Sequence, residues 1–150
     1  MVVLATKVYV MGESRRRAMD SLGSLVGNDI GELEVEFTVG LRDDDFPSVT
    51  ITGEDAPVAR NLLAEEWGAI TPHREAGETY VGTLESWDED GFVLDVGESV
   101  RIPAAELGLG QGTPKQIRKR FGLVQHLPLQ FVEGGDDPNR LASEQQDRLY

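Results

Sequence analysis

Apolar and polar residues alternate most cleanly over residues 32–39. There Leu33, Val35, Phe37 and Val39 fall on one face and Glu32, Glu34, Glu36 and Thr38 on the other, the period of two of a half-buried strand. Residues 2–10 are rich in β-branched side chains and read as an earlier strand, and across residues 13–26 Ala18, Leu22 and Leu25 recur at helical spacing. Asp43-Asp44-Asp45-Phe46-Pro47 supplies turn chemistry before a short strand at residues 49–52, and Pro57 stands near the start of a helix that Gly68 should end. The order is strand, helix, strand, strand, helix, which predicts a small α+β sandwich over residues 1–70.

Residues 71–76 read as a linker, after which short β runs resume at residues 80–87, 92–96 and 100–102, separated by Asp88-Glu89-Asp90-Gly91 and Gly97-Glu98 turns. Phe92, Leu94 and Val96 should face inward, Val93 and Asp95 outward. Thr113 is placed to cap, Pro114 to start and Gly122 to end a helix. Residues 124–132 read as a further strand, with Pro128 confining it to an edge or a bulge. No fifth strand is evident after Val132: Gly134-Gly135-Asp136-Asp137-Pro138 breaks the pattern, and residues 141–150 open a polar helix that reaches the terminus without a stop signal, as in a truncated chain. The predicted second domain spans residues 77–133, followed by a polar segment over 134–150.

Charge changes the picture. Among 150 residues, 27 acidic side chains outweigh 14 basic ones, for a net charge of −13, which excludes a globally basic nucleic-acid wrapper. Lys7, Lys115 and Lys119 are the only lysines, against eleven arginines. Such carboxylate-rich, lysine-poor surfaces resemble those of salt-loving archaea, whose self-repulsion is screened when the Debye length falls to about 3 Å at 1 M salt. With no cysteine, disulfides and thiolate chemistry are excluded. Apolar stretches fall far short of the ~20 residues of a membrane span, and no signal pattern opens the chain, so a cytoplasmic protein without membrane contact is expected.

Gly82, Leu84, Trp87 and Gly91, within Gly77-Glu78-Thr79-Tyr80-Val81-Gly82-Thr83-Leu84 and Gly91-Phe92-Val93-Leu94-Asp95-Val96-Gly97, resemble the opening of a ribosomal S-one-type RNA-binding domain, an OB-fold β-barrel. The likeness covers residues 77–107, and the order behind an acidic α+β half resembles a family of conserved haloarchaeal proteins. The resemblance implies a five-stranded barrel and RNA contact. It also implies aromatic residues on the outer face, where this chain has Asp90 and Val93, and often a histidine where Arg101 stands. Arg101 could stack on a base and pair with phosphate, or form a surface ion pair. Trp87 and Tyr80 are either ligand platforms or barrel core and rim.

Residues 77–100 contain seven acids and no base, whereas residues 101–132 contain five bases and one acid. Lys115, Arg118 and Lys119 share a helical face, with Arg120 beside it. They could grip a phosphate backbone or an acidic protein, or form a solvated face. Residues 108–115 superficially resemble a nucleotide loop ahead of a helix but lack both phosphate-loop patterns, so a flexible barrel insertion is expected. Arg15-Arg16-Arg17 reads as a solvated helix face and Asp43-Asp44-Asp45 as a hydrated hairpin tip. His73 and His126 lack partners at metal spacing, and no serine lies in a nucleophile pattern. The expected function is a non-catalytic RNA-associated module in transcription or translation, without cofactor or metal. Its partner is RNA or a ribonucleoprotein or transcription complex. The rivals are a protein-interaction adaptor docking on an acidic macromolecular partner and, behind it, a small enzyme whose site assembles from distant residues.

Overall fold

A computed structural model describes residues 1–71 and 73–149. The chain is mixed α+β and divides into two compact units, Met1–Ile70 and Thr71–Tyr150.

In the first unit, strands β1 (Val2–Val3), β2 (Glu36–Leu41) and β3 (Pro47–Thr52) form an antiparallel sheet in the order β1-β3-β2. Helices α1 (Gly12–Ile30) and α2 (Ala56–Trp67) complete the unit. The α1 stripe that packs is Leu22, Val26 and Ile30, with Ala18 against it; the expected Ala18 and Leu22 face inward, whereas Leu25 is 50% exposed and Val26 takes its place. The strand expected over residues 2–10 joins the sheet only at Val2 and Val3, with Leu4 adding a lone bridge to Ala69 and an N–H bond to the Pro47 carbonyl. Beyond it the backbone leaves the ladder, with Val8 N–H donating to the Asp45 carbonyl, yet Val8 remains buried. Likewise β2 begins at Glu36, because the Leu33 and Val35 amides close turns onto Ile30 and Leu33. In both places apolar residues that read as strand pack without a ladder. Pro57 lies in the first turn of α2, and Gly68 follows its last turn with φ 75°, a conformation glycine adopts at no steric cost.

In the second unit, β4 (Thr79–Asp88), β5 (Gly91–Asp95), β6 (Ser99–Pro103), β7 (Pro128–Val132) and β8 (Arg140–Leu141) make one curled antiparallel sheet, ordered β6-β5-β4-β7-β8. Between β6 and β7 lie a 3₁₀ turn (Ala104–Glu106) and helix α3 (Pro114–Phe121); helix α4 (Ser143–Leu149) follows β8. Phe92, Leu94 and Ile102 are fully buried with Leu84, Leu129 and Phe131. Gly82 lies where a Cβ would come within 2.9 Å of Val96 and 3.0 Å of Leu94, so the tight coil of the sheet requires glycine there.

Two boundaries differ from those read in the sequence. Residues 124–127 form a turn, closed by Leu127 N–H on the Val124 carbonyl with His126 at φ 71°. Pro128 therefore opens β7, where its missing N–H is tolerated, and does not interrupt it. A fifth strand does follow Val132: Phe131 pairs with Leu141 and Val132 with Arg140. Two residues are too few for alternation to register. Asn139, just before β8, donates through Nδ2 to the Arg101 carbonyl of β6 at 3.2 Å. Within the stretch read as a linker, residues 71–76, Arg74 is bonded into the second unit, whereas His73, Glu75 and Ala76 are exposed. The Arg74 side chain is 11% exposed, bonded to Glu133 at 3.0 Å and Glu98 at 2.6 Å; burial lowers its pKa, but the bonds to Glu98 and Glu133 outweigh this and raise it. Pro72, within the same stretch, lies outside the described residues.

Candidate nucleic-acid interface

Helix α3 is set by its own ends. Thr113 accepts the Gln116 amide at 3.3 Å while the Gln116 side chain accepts the Thr113 amide at 2.9 Å, a reciprocal cap that satisfies two otherwise orphaned donors. Gly122 ends the helix in the left-handed region at φ 66°. These fixed ends put Ile117, 1% exposed, into the core. Lys115 and Lys119, one turn apart, are exposed, and no ion pair engages either among the described residues.

The arginines of the same helix have structural partners. The Arg118 guanidinium lies over the Trp87 ring at 4.7 Å, and its Nε is buried with no hydrogen-bond partner among the described residues. A cation over an indole face is attracted by the ring quadrupole, and this offsets the desolvation. Arg120 donates to the Gln111 carbonyl at 2.8 Å and the Leu109 carbonyl at 3.4 Å. With Leu109 fully buried, residues 108–112 are anchored at both points, contrary to the flexible insertion expected of them. Five donors on a rigid fork let arginine hold several carbonyls at once, which lysine does not do.

Trp87 owes its position to a bulge. The β4–β5 register runs Leu84 opposite Leu94, then Ser86 opposite Val93 and Trp87 opposite Phe92. Glu85 is the extra residue, and it turns Trp87 onto the same face as Leu84 and Phe92. Trp87 is half-buried at the rim of the core. Together with Asp88, Glu89, Thr113 and Lys115 it lines an open groove of about 430 Å³, within the ~300–1,000 Å³ range of small-ligand clefts.

Arg101 is engaged across the β4–β5 turn. Its two Nη atoms donate to the two Asp88 oxygens at 2.9 and 3.0 Å. Asp88 also accepts the Asp90 and Gly91 amides. The Arg101 hydrogen bonds, then those amides, hold the Asp88 carboxyl down at about 2, and Asp88 raises the Arg101 guanidinium in turn.

Residues 1–73 match the DUF2110 N-terminal domain and residues 74–150 the DUF2110 central domain. The chain belongs to the DUF2110 family. No curated protein matches it.

Within this DUF2110 central domain the candidate residues do not form one site. Tyr80 and Trp87 lie toward opposite ends of β4, about 20 Å apart at ~3.3 Å per residue. The Tyr80 ring packs 6.2 Å from that of Phe131, and its hydroxyl accepts the Glu75 amide at 2.8 Å. Trp87, Lys115 and Arg118 come together; Lys119 lies one turn along the helix; Arg101 and Arg120 are held by other groups. Sequence reasoning missed Glu89 as part of the groove, because only the hairpin brings it beside α3. It also missed the contact of His126 Nδ1 with Glu85 at 2.9 Å, where Thr83, fully buried, donates to the same carboxylate at 3.3 Å. No sequence signal joins residues so far apart. Among the described residues no group of three metal-ligating side chains occurs. The Asp43–Asp45 tip is held by Arg42 on Asp44 at 2.7 Å and Arg15 on Asp45 at 3.2 Å. No described helix is long and apolar enough to cross a membrane.

Proposed function

We propose that this protein is a non-catalytic, RNA-associated cytoplasmic module of transcription or translation, and that its second unit is an S-one-like OB barrel binding single-stranded RNA. The observation that carries the reading is the groove where an aromatic ring, Trp87, meets an exposed cation, Lys115. Single strands are held by such pairs: stacking contributes about 1–3 kcal/mol per base and cations track the phosphates. The barrel reading draws support from the meander β6-β5-β4 continued by β7 and β8, and from the Asn139 bond that returns the chain beside β6, as a five-stranded Greek-key barrel requires. The β4–β5 turn corresponds to a loop that oligonucleotides contact in such barrels. Binding shifts toward α3, because Asp90 and Val93 leave the β5–β6 face without stacking residues and Asp88 occupies Arg101.

Fluorescence anisotropy with a labelled single-stranded RNA tests this in the full-length chain. Reversing Lys115 and Lys119 to Glu is expected to weaken binding at least about tenfold. The salt dependence of the parent should be shallow, with a slope of about −1.4 for two phosphate contacts at ~0.7 each. Arg118 is kept in that variant because its stack on Trp87 is structural. Full retention of binding rejects the proposal. Recovery of a protein partner after nuclease treatment, lost in the same variant, would instead favour an adaptor docking on an acidic partner.

A further inference from the structure

The groove beside Trp87 is lined by side chains of opposite charge. Glu89 comes from the β4–β5 turn and Lys115 from the first turn of α3, and no ion pair joins them among the described residues. Their neighbours are already committed, Asp88 to Arg101 and to two turn amides, Arg118 to the face of Trp87. Besides Asp88 and Thr113, the groove is lined by one aromatic side chain, one cation and one carboxylate with unspent acceptor capacity.

A ligand that satisfies all three carries a flat ring, an anion on one side and N–H donors on the other, which describes a nucleotide. The bases differ at this point. An ionised carboxylate is acceptor-only, with two oxygens suited to paired donors. Guanine offers N1–H and N2–H side by side on its Watson–Crick edge. Adenine and cytosine offer one amino group beside an acceptor nitrogen. Uracil flanks its single N–H with two carbonyl oxygens, which would face the Glu89 charge. A site built to pair with donors discriminates against a ligand that leaves polar groups unmatched. Resting on the RNA reading above, we propose that the groove between Glu89 and Lys115 is a guanine-selective nucleotide subsite. Glu89 accepts from the base edge, Lys115 pairs with phosphate, and Trp87 bounds the ring.

The test measures anisotropy of short labelled oligouridylate RNAs whose central base is G, A, C or U, with GMP and UMP as unlabelled competitors. The G-containing RNA is expected to bind about tenfold tighter than the all-U strand, in keeping with ~1–3 kcal/mol for a paired base contact, with A and C between them. Glu89→Gln and Glu89→Ala, both at an exposed turn, should bring the four affinities together. Lys115→Ala should weaken all four alike. Equal affinity for the four strands, still dependent on Lys115, overturns the guanine subsite and leaves the RNA reading standing. GMP competing as well as the G-containing strand, with UMP inert and the preference lost in Glu89→Gln, supports the subsite and overturns RNA as its source. Binding of none of these probes overturns both.

Discussion

The two basic runs of the chain, Arg15-Arg16-Arg17 on α1 and Lys115 to Arg120 on α3, look alike as charge patterns and serve differently. On α1, Arg15 bonds the Val10 carbonyl at 3.0 Å and Asp45 at 3.2 Å, Arg16 reaches Glu13 at 3.8 Å, and Arg17 is exposed. On α3, Arg118 covers Trp87 and Arg120 fastens the glycine-rich loop, while the two lysines face solvent. Guanidinium forks are drawn into the fold by planar and multidentate partners, and the strongly hydrated ammonium groups remain outside. A run of positive residues is therefore a poor measure of available charge: of the five candidate cations in the second unit, only the lysines are left for a partner.

The sharpest way to break this comparison is to truncate one arginine from each run. Arg118→Ala loses the ring contact and the buried stem, and is expected to lower stability by about 1–2 kcal/mol. Arg17→Ala, on an open face, should stay within about 0.5 kcal/mol. Equal midpoints of chemical denaturation for the two variants would contradict the assignment of Arg118 as a strut. Next in size is the difference in helix starts. Thr113→Ala removes a reciprocal cap and should cost about 1 kcal/mol. Met11→Ala should be nearly silent in the same assay, because the residue before α1 makes no side-chain cap.

The smallest effect contrasts one exposed acid in each unit. Asp88 is held low in the folded chain, so its contribution is complete above the ordinary carboxylate value of ~3.9 and is lost as pH falls toward about 2. The acid-induced drop in thermal midpoint should therefore shrink in Asp88→Asn. Glu66 is raised, first by the charge of Asp29 and then by hydrogen bonding to it, while Asp29 accepts Trp67 Nε1 at 2.9 Å. Its contribution is complete when protonated and fades as pH rises through 4.5 and above. Glu66→Gln should therefore raise the midpoint at neutral pH and have no effect in acid. Matching pH profiles for these two variants would refute the opposite signs.

How much was legible follows the range of each interaction. The ends of α3 were readable because Thr113, Gln116 and Gly122 act on amides within one helical turn. The β4–β5 turn and the inward set Phe92, Leu94 and Val96 were readable because side-chain direction alternates with the backbone. At residues 5–10, rich in β-branched side chains, and at 32–35, where apolar and polar positions alternate, the strand was read too long because no ladder forms. Burial produces the same pattern whether or not hydrogen bonds form.

The sequence by itself determined the local devices of this protein: the caps, the tight turns, the alternating strand faces, and the glycine where β4 and β5 coil closely. Tertiary structure alone decided that Glu85 bulges and turns Trp87 inward, that two residues after a glycine turn complete the sheet, and that three arginines close onto Asp88, Trp87 and a loop. The physical reason is distance along the chain. Caps and turns are settled by neighbours a few residues away, whereas a register shift or the choice of an ion-pair partner depends on groups that meet only once the sheet has formed.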